Sequence, residues 1–324
     1  MGVRALPVNL DYFVLDVFTD RQLTGNPLAV VLNPGFLTTE DMQAIARETN
    51  LSETTFVERR DPIVELTEGV RVRIFTTQEE LGFAGHPTLG TASLLRTIAP
   101  ECIVNGTVTL ALNVGPVPIR FTPLPPDAPL WPLQGEMTQP DPEFGEILSP
   151  VDVASLTGLS LADFDPVRPI QIVSTGTAFA IVPLRSAHAL SGLKVQQDEA
   201  RAYLRARGAR WFYVLGPTGA AHSSSSPQPG WRARMQFEGG EDPATGSAAG
   251  CAISFLVRHG AVAPNETIHL RQGVEIQRPS NLFLTAAFQE HPENLFFDPS
   301  RSRVTQVRVG GSTVLVAKGQ LFLP

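Results

Sequence analysis

The sequence predicts an α+β fold in two domains, and three observations carry that expectation. The chain has 324 residues, beyond what one hydrophobic core comfortably serves, so two domains of about 100–200 residues each are expected. A short motif occurs twice, as His86-Pro87-Thr88-Leu89-Gly90-Thr91-Ala92 and as Asp242-Pro243-Ala244-Thr245-Gly246-Ser247-Ala248, one copy in each half. The rest reads as many short strands with only a few helices interspersed.

Residues 10–18 are a run of β-branched and aromatic side chains and predict a strand; Gly25-Asn26-Pro27 then turns the chain into an apolar strand over 28–32. Thr38 and Asp41 have capping-box spacing, and Met42, Ile45, Ala46 and Thr49 recur at helical intervals, so an amphipathic helix is expected over 39–49. A strand over 54–57 and a strictly alternating one over 70–75 lead to the first motif, and a hairpin over 108–121 turns around Gly115-Pro116. Between 122 and 149 the many prolines, from Pro123 to Pro142, oppose helices and internal strands and place the domain crossover there. The expected domains are therefore 1–122, completed by a C-terminal strand over 312–324, and 123–311. The second half repeats the style, with strands over 170–173, 179–182, 211–215 and 232–237, a helix over 197–207, and the second motif. Residues 222–230, with four consecutive serines, read as a mobile surface loop. Strands over 304–309 and 313–316 close the chain on either side of Gly310-Gly311.

Both motif copies follow the pattern His/Asp, Pro, two residues, Gly, Ser/Thr, Ala, and each runs into an apolar stretch. Proline suits the first helical position because the N–H it lacks has no partner there, and the preceding residue is then the N-cap. Each copy is thus expected to start a helix, with His86 or Asp242 as cap. Such an end offers N–H groups and a partial positive charge to carboxylate, enolate or phosphate oxygens. The second helix carries Gly246, Ala248, Ala249, Gly250 and Ala252 on a small-residue flank. Glycines in a helix cost about 1 kcal/mol each relative to alanine, so close approach by surrounding strands is expected, with the helix central and buried.

Composition narrows the function. Hydrophobic residues make up 43% and charged residues 18%, which gives ample material for a globular core. A net charge of −7 without a Lys/Arg cluster removes the basis for tight nucleic-acid binding. The two cysteines, Cys102 and Cys251, form neither a disulfide framework nor a redox pair. No apolar run approaches the ~20 residues of a membrane span, and the first residues lack a signal-peptide core, so a cytoplasmic protein is expected. The six histidines show no metal-ligand spacing, and neither a P-loop nor a G-x-G-x-x-G turn is present.

Three side chains are candidates for chemistry. An Asp before Pro is an ordinary helix start, so capping alone is a sufficient account of Asp242. His86 is a poor cap, whereas its imidazole suits proton transfer or hydrogen-bond donation. Glu53 lies after a helix end, where an apolar strand begins, and a carboxylate there is expected to be partly desolvated, with a raised pKa. Taken alone, it reads more simply as a surface residue beside a turn.

Taken together, Gly25-Asn26-Pro27, Asn50-Leu51-Ser52-Glu53, the run from Glu80 to Thr88 containing Gly85-His86-Pro87, and Gly240-Glu241-Asp242-Pro243-Ala244-Thr245-Gly246-Ser247-Ala248 resemble the PhzF family of phenazine-biosynthesis-like proteins. The resemblance spans nearly the whole chain and includes Ser174-Thr175-Gly176, Val182-Pro183-Leu184 and Arg278-Pro279-Ser280. It implies a diaminopimelate-epimerase-like fold: two similar α+β domains, each a barrel-like sheet around a central helix, with the active site in the cleft between them. It also implies catalysis without metal or organic cofactor, and a homodimer. By motif, Glu53 matches the family's proton-shuttling glutamate, and His86 and Asp242 its flanking acid/base and orienting groups. Asn26, Gly85, Gly240, Gly246 and Ser247 fall at substrate-contacting positions. The implied reaction is isomerisation of a small carboxylate such as trans-2,3-dihydro-3-hydroxyanthranilate, in which a proton moves between ring carbons. Two alternatives stand beside it: an epimerase or racemase using His86 and Asp242 from opposite faces, and a non-catalytic metabolite binder. The epimerase relatives use a cysteine pair where His86 and Asp242 stand here, which disfavours cysteine-based epimerisation. The chain departs from the family pattern at Gly82, where many members carry Pro, and in a shorter approach to Asp242 over 237–240. Segments 217–230 and 288–303 carry no functional reading.

Overall fold

In the first unit a hairpin, a parallel crossover and a central helix follow from the local sequence. β1 (Val8–Val17) and β2 (Asn26–Leu32) pair antiparallel, as the turn at Gly25 dictates. α1 (Thr39–Thr49) is fixed at both ends: Thr38 and Asp41 make the capping box, and Asn50 closes the helix in the left-handed region. Its apolar stripe of Met42, Ile45 and Ala46 packs against Leu10, Val31, Phe56 and Phe75. β3 (Glu53–Glu58) then returns parallel to β2, since a crossover helix separates them. α2 (Pro62–Glu68) was not legible from periodicity, although Asp61 caps it and Pro62 opens it. β4 (Val70–Phe75) and β5 (Glu80–Leu81) precede α3 (Gly85–Ile98), and β6 (Ile103–Val104) and β7 (Thr107–Leu112) follow it, with β7 parallel to β4. β8 (Gly115–Phe121) turns back at Asn113-Val114, two residues before the expected turn. β9 (Leu133–Thr138) lies inside the proline-rich segment, in a proline-free stretch between Pro132 and Pro140.

The second unit contains β10 (Glu143–Leu148), α4 (Pro150–Thr157), β11 (Ile170–Ser174), β12 (Ala178–Pro183) and α5 (Gln197–Arg205). Then come β13 (Trp211–Pro217), β14 (Trp231–Arg234), β15 (Gln236–Phe237), β16 (Gly240–Glu241), α6 (Gly246–Arg258), β17 (Ile268–Gln272) and β18 (Ser280–Gln289). The single strand expected over 232–237 is broken at Met235: β14 stays with β13, while β15 turns to pair with β16. The last element, β19 (Arg303–Leu323), runs unbroken through Gly310-Gly311, where two strands were expected. Its ladder with β18 ends at Gly310 and its ladder with β1 begins at Thr313, so hydrogen bonding along both stretches holds it extended.

The computed structural model describes residues 8–125, 127–219, 230–289 and 303–323, so the loop expected over 222–230 lies, except for Gly230, outside the described residues. The chain divides into two compact units, Met1–Met137 with Gly311–Pro324, and Thr138–Gly310. In the first, β1, β2, β3, β4, β7, β8, β9 and β19 pair in a closed ring, making a barrel. The order of steps from β1 through β8 (antiparallel, parallel, antiparallel, parallel, antiparallel) recurs from β11 through β18. α3 and α6 occupy the second crossover of each series. The architecture is thus α+β and internally duplicated, as the repeated motif signals.

Both crossover helices are buried, α3 from Gly85 to Leu95 and α6 from Ala248 to Val257. Their glycines meet neighbours closely: a Cβ on Gly90 would lie 2.6 Å from Leu28 Cδ2, and one on Gly250 only 1.9 Å from Gln139 Oε1. Close approach therefore offsets the helix cost of glycine. Among the described residues no helix is long and apolar enough to cross a membrane.

Candidate active site

The repeated motif places two helix mouths, but not at the residues the local signal suggests. α3 begins at Gly85 with Ala84 as its N-cap, so His86 and Pro87 lie within its first turn. α6 begins only at Gly246 with Thr245 as its N-cap, leaving Asp242 and Pro243 in the preceding turn. Neither His86 nor Asp242 is a cap. Proline is tolerated anywhere in a first turn, where no N–H has an intrahelical partner, so it does not fix the start. Neither helix has a side-chain cap bond at its N-terminus.

In the first unit three of the expected residues meet. Gly25 adopts φ +71°, and a Cβ there would lie 2.4 Å from the Val17 carbonyl, so only glycine lets Asn26 enter β2 this closely. Asn26 is fully buried, and its Nδ2 lies 3.1 Å from His86 Nδ1. On the other side of the ring, His86 Nε2 lies 3.4 Å from Glu53 Oε2; Glu53 opens β3 beside Leu28, and its side chain is 16% exposed. Gly85 is buried directly before His86.

Burial pushes the His86 imidazole down to about 3, against a smaller opposing effect of its bond to the Pro27 backbone. The close approach to Glu53 is therefore not an ion pair at neutral pH; the ring is neutral. With its hydrogen on Nε2, it accepts the Asn26 amide at Nδ1 and presents an N–H to Glu53 Oε2. With its hydrogen on Nδ1, bare Nε2 accepts from a protonated Glu53. A neutral imidazole can thus serve either protonation state of the carboxyl group.

In the second unit Asp242 is 8% exposed and sits in a polar turn. Its N–H donates to the Met235 carbonyl (2.9 Å), and its Oδ2 accepts from Thr245 Oγ1 (2.6 Å). Glu241 beside it is held by Arg234, whose Nε and Nη2 donate to its carboxylate at 2.9 and 2.5 Å. Gly240, with φ +142°, is exposed in the β15–β16 hairpin two residues ahead of Asp242. Gly246 and Ser247 are the first two residues of α6; the Gly246 carbonyl accepts from Gln139 Nε2 (2.9 Å) and that of Ser247 from Thr175 Oγ1 (3.4 Å).

The supporting shell was missed in the sequence. Thr175 lies in the Ser174-Thr175-Gly176 motif, which marks it without assigning its task. Gln139 and Gln272 carry no local signal, because each acts on a helix mouth far away in sequence. Cys251, buried in α6, has its thiol pushed up to about 11 by burial. Among the described residues no three of His, Cys, Asp and Glu cluster as a metal ion requires.

Comparison with known proteins bears on the family and the fold. The profile of the family described as phenazine biosynthesis-like protein matches residues 15–319. The chain is 33% identical to the trans-2,3-dihydro-3-hydroxyanthranilate isomerase of Pseudomonas aeruginosa over 96% of this chain and 99% of that one. A crystal structure of a PhzF-family phenazine biosynthesis protein from Bacillus anthracis superposes with a TM-score of 0.79 at 23% identity, covering 98% of this chain and 100% of that one. A hydroxyproline epimerase from Agrobacterium vitis shares the fold, with a TM-score of 0.61 at 11% identity and coverage of 97% and 93%.

Proposed function

Because this chain belongs to the phenazine biosynthesis-like PhzF family and is an isomerase, we propose that it moves a proton between carbons of a small carboxylate of the dihydro-hydroxyanthranilate kind, with Glu53 as the carrier and no metal or organic cofactor. The observation that carries this reading is the chain of contacts Asn26–His86–Glu53 at 3.1 and 3.4 Å. A shuttle needs a group that is first base and then acid. Glu53 takes a proton from one carbon as carboxylate and returns it to another as acid, so no co-reactant is consumed. The negative charge delocalised in between is stabilised by N–H groups and dipoles at a helix mouth. Asp242 orients the same substrate, with Gly246 and Ser247 offering contacts at the mouth of α6.

The neutral state of His86 favours this reading over an epimerase that uses His86 as acid or base. An imidazole titrating near 3 is a weak base at neutral pH. The test is to dialyse the protein against a chelator and follow trans-2,3-dihydro-3-hydroxyanthranilate and related cyclic carboxylates by NMR. Turnover that survives chelation is expected. No turnover of any of them would overturn the substrate class, and activity lost on chelation and restored by a metal would overturn cofactor independence.

A further inference from the structure

Gln272 closes β17, thirty residues from the motif, and its side chain is fully buried. Its amide makes four hydrogen bonds around the Asp242–Thr245 turn. Oε1 accepts from Tyr213 Oη (2.9 Å) and from the Thr245 N–H (3.1 Å). Nε2 donates to the Asp242 carbonyl (2.8 Å) and to Thr245 Oγ1 (2.9 Å). The amide therefore stands between the Thr245 N–H and the Asp242 carbonyl, the two groups that would bond each other in a closed four-residue turn. Its orientation is fixed, because the backbone N–H can face only the oxygen and the backbone carbonyl only the nitrogen.

One consequence reaches the carboxylate. Thr245 Oγ1 accepts a hydrogen from Gln272, so its own hydrogen points elsewhere, and Asp242 Oδ2 lies 2.6 Å away to receive it. A threonine at an N-cap ordinarily turns its oxygen toward the helix N–H groups; here it makes no such bond. The hydroxyl is committed to Asp242 instead.

We infer that Gln272, acting through Thr245, is a positioning residue of the isomerase: it turns the Thr245 hydroxyl to Asp242 and so fixes the direction of the carboxylate through Oδ2. This rests on the reading of Asp242 as part of the site. The relay sets both the direction of the carboxylate and its preference for the ionised state, because a hydrogen bond to the charged form favours that form. It also explains why α6 begins four residues after Asp242: the inserted amide holds the turn open.

The experiment compares Asp242→Asn, Thr245→Val, Thr245→Ser and Gln272→Glu in the full chain, with circular dichroism and thermal unfolding to establish folding. Asp242→Asn is expected to lower kcat roughly a hundredfold or more. Thr245→Val, which keeps the shape and removes the hydroxyl, is expected to lower kcat about tenfold with KM within about twofold, and to move the acidic limb of the kcat profile up by about one pH unit. Thr245→Ser should restore both. Gln272→Glu, where folded, should follow Thr245→Val; if it does not fold, the Val/Ser pair decides. If Asp242→Asn impairs turnover while Thr245→Val leaves kcat and the pH limb unchanged, the relay is wrong and the reading of Asp242 stands. If Asp242→Asn retains full turnover, the reading of Asp242 falls, and the relay falls with it.

Discussion

Glu53 and His86 face each other across 3.4 Å, yet His86 is neutral at physiological pH, so their approach is not an ion pair. A carboxyl group beside a neutral imidazole can gain and lose a proton without breaking a charge pair, which suits a shuttle. A charged imidazole would instead hold Glu53 in its ionised form.

The same burial predicts a pH dependence of stability. In the unfolded chain His86 titrates near 6.5, and in the folded chain at about 3. Between those values the unfolded state binds a proton that the folded state does not, so this contribution is full above about 6.5 and declines as the pH falls toward 3. Urea unfolding at several pH values is expected to show a shallower loss between pH 6.5 and 4 for His86→Gln than for the native chain. Parallel profiles would contradict the assignment.

Helix glycines provide a second test. Gly→Ala in a helix ordinarily adds about 1 kcal/mol of stability. Here Gly250→Ala would place a methyl 1.9 Å from Gln139 Oε1, and Gly90→Ala would place one 2.6 Å from Leu28 Cδ2. Both are expected to destabilise by about 1–3 kcal/mol, read from urea midpoints. Gly250→Ala should also lower turnover, since Gln139 bonds the Gly246 carbonyl at the mouth of α6.

The pair Arg234–Glu241, 10% and 5% exposed at the side chains, fixes the strand that ends one residue before Asp242. Removing Glu241 leaves Arg234 buried with only Glu275, 3.9 Å from its Nε, as counter-charge. Glu241→Ala is expected to cost about 3 kcal/mol, whereas Arg201→Ala, which loses exposed pairs with Asp198 and Glu238, should cost about 1 kcal/mol or less. Equal costs for the two would contradict the account.

What the sequence discloses follows from how local each cause is. Thr38, Asp41 and the stripe from Met42 to Thr49 fix α1 by contacts within the helix and its caps, and the alternation over 70–75 fixes β4. The duplicated motif discloses two equivalent helices. The starting residue of the second depends on Gln272, which holds its turn open from another strand, and no local pattern contains that fact. Ser149, Pro150 and Gly158 are local signals for α4, obscured by the proline-rich stretch just before them. Gly310-Gly311 reads as a break, yet both flanking stretches of β19 are paired. The trio Asn26, Glu53 and His86 assembles from two strand starts and a helix start, which only the parallel register of β2 and β3 brings together.

Gly273 supplies a prediction that bears on this distant control. It follows Gln272 with φ +73°, and a Cβ there would lie 2.4 Å from the Arg278 carbonyl and 2.7 Å from the Pro243 carbonyl. Both neighbours are backbone, so Gly273→Ala must displace the turn that carries Asp242. Stability is expected to fall by about 1–3 kcal/mol, with kcat reduced in the protein that remains folded at low temperature. Unchanged kinetics would show that the turn tolerates displacement.

Incorporation of solvent deuterium into the product is the sharpest test of proton transfer by Glu53. The native protein in D2O is expected to place deuterium at the carbon that receives the proton, to the extent that Glu53 exchanges with solvent before returning it. Glu53→Gln, which keeps the shape and removes the titrating group, should lose incorporation together with roughly a hundredfold to ten-thousandfold in kcat. Undiminished incorporation and turnover in folded Glu53→Gln would contradict the account.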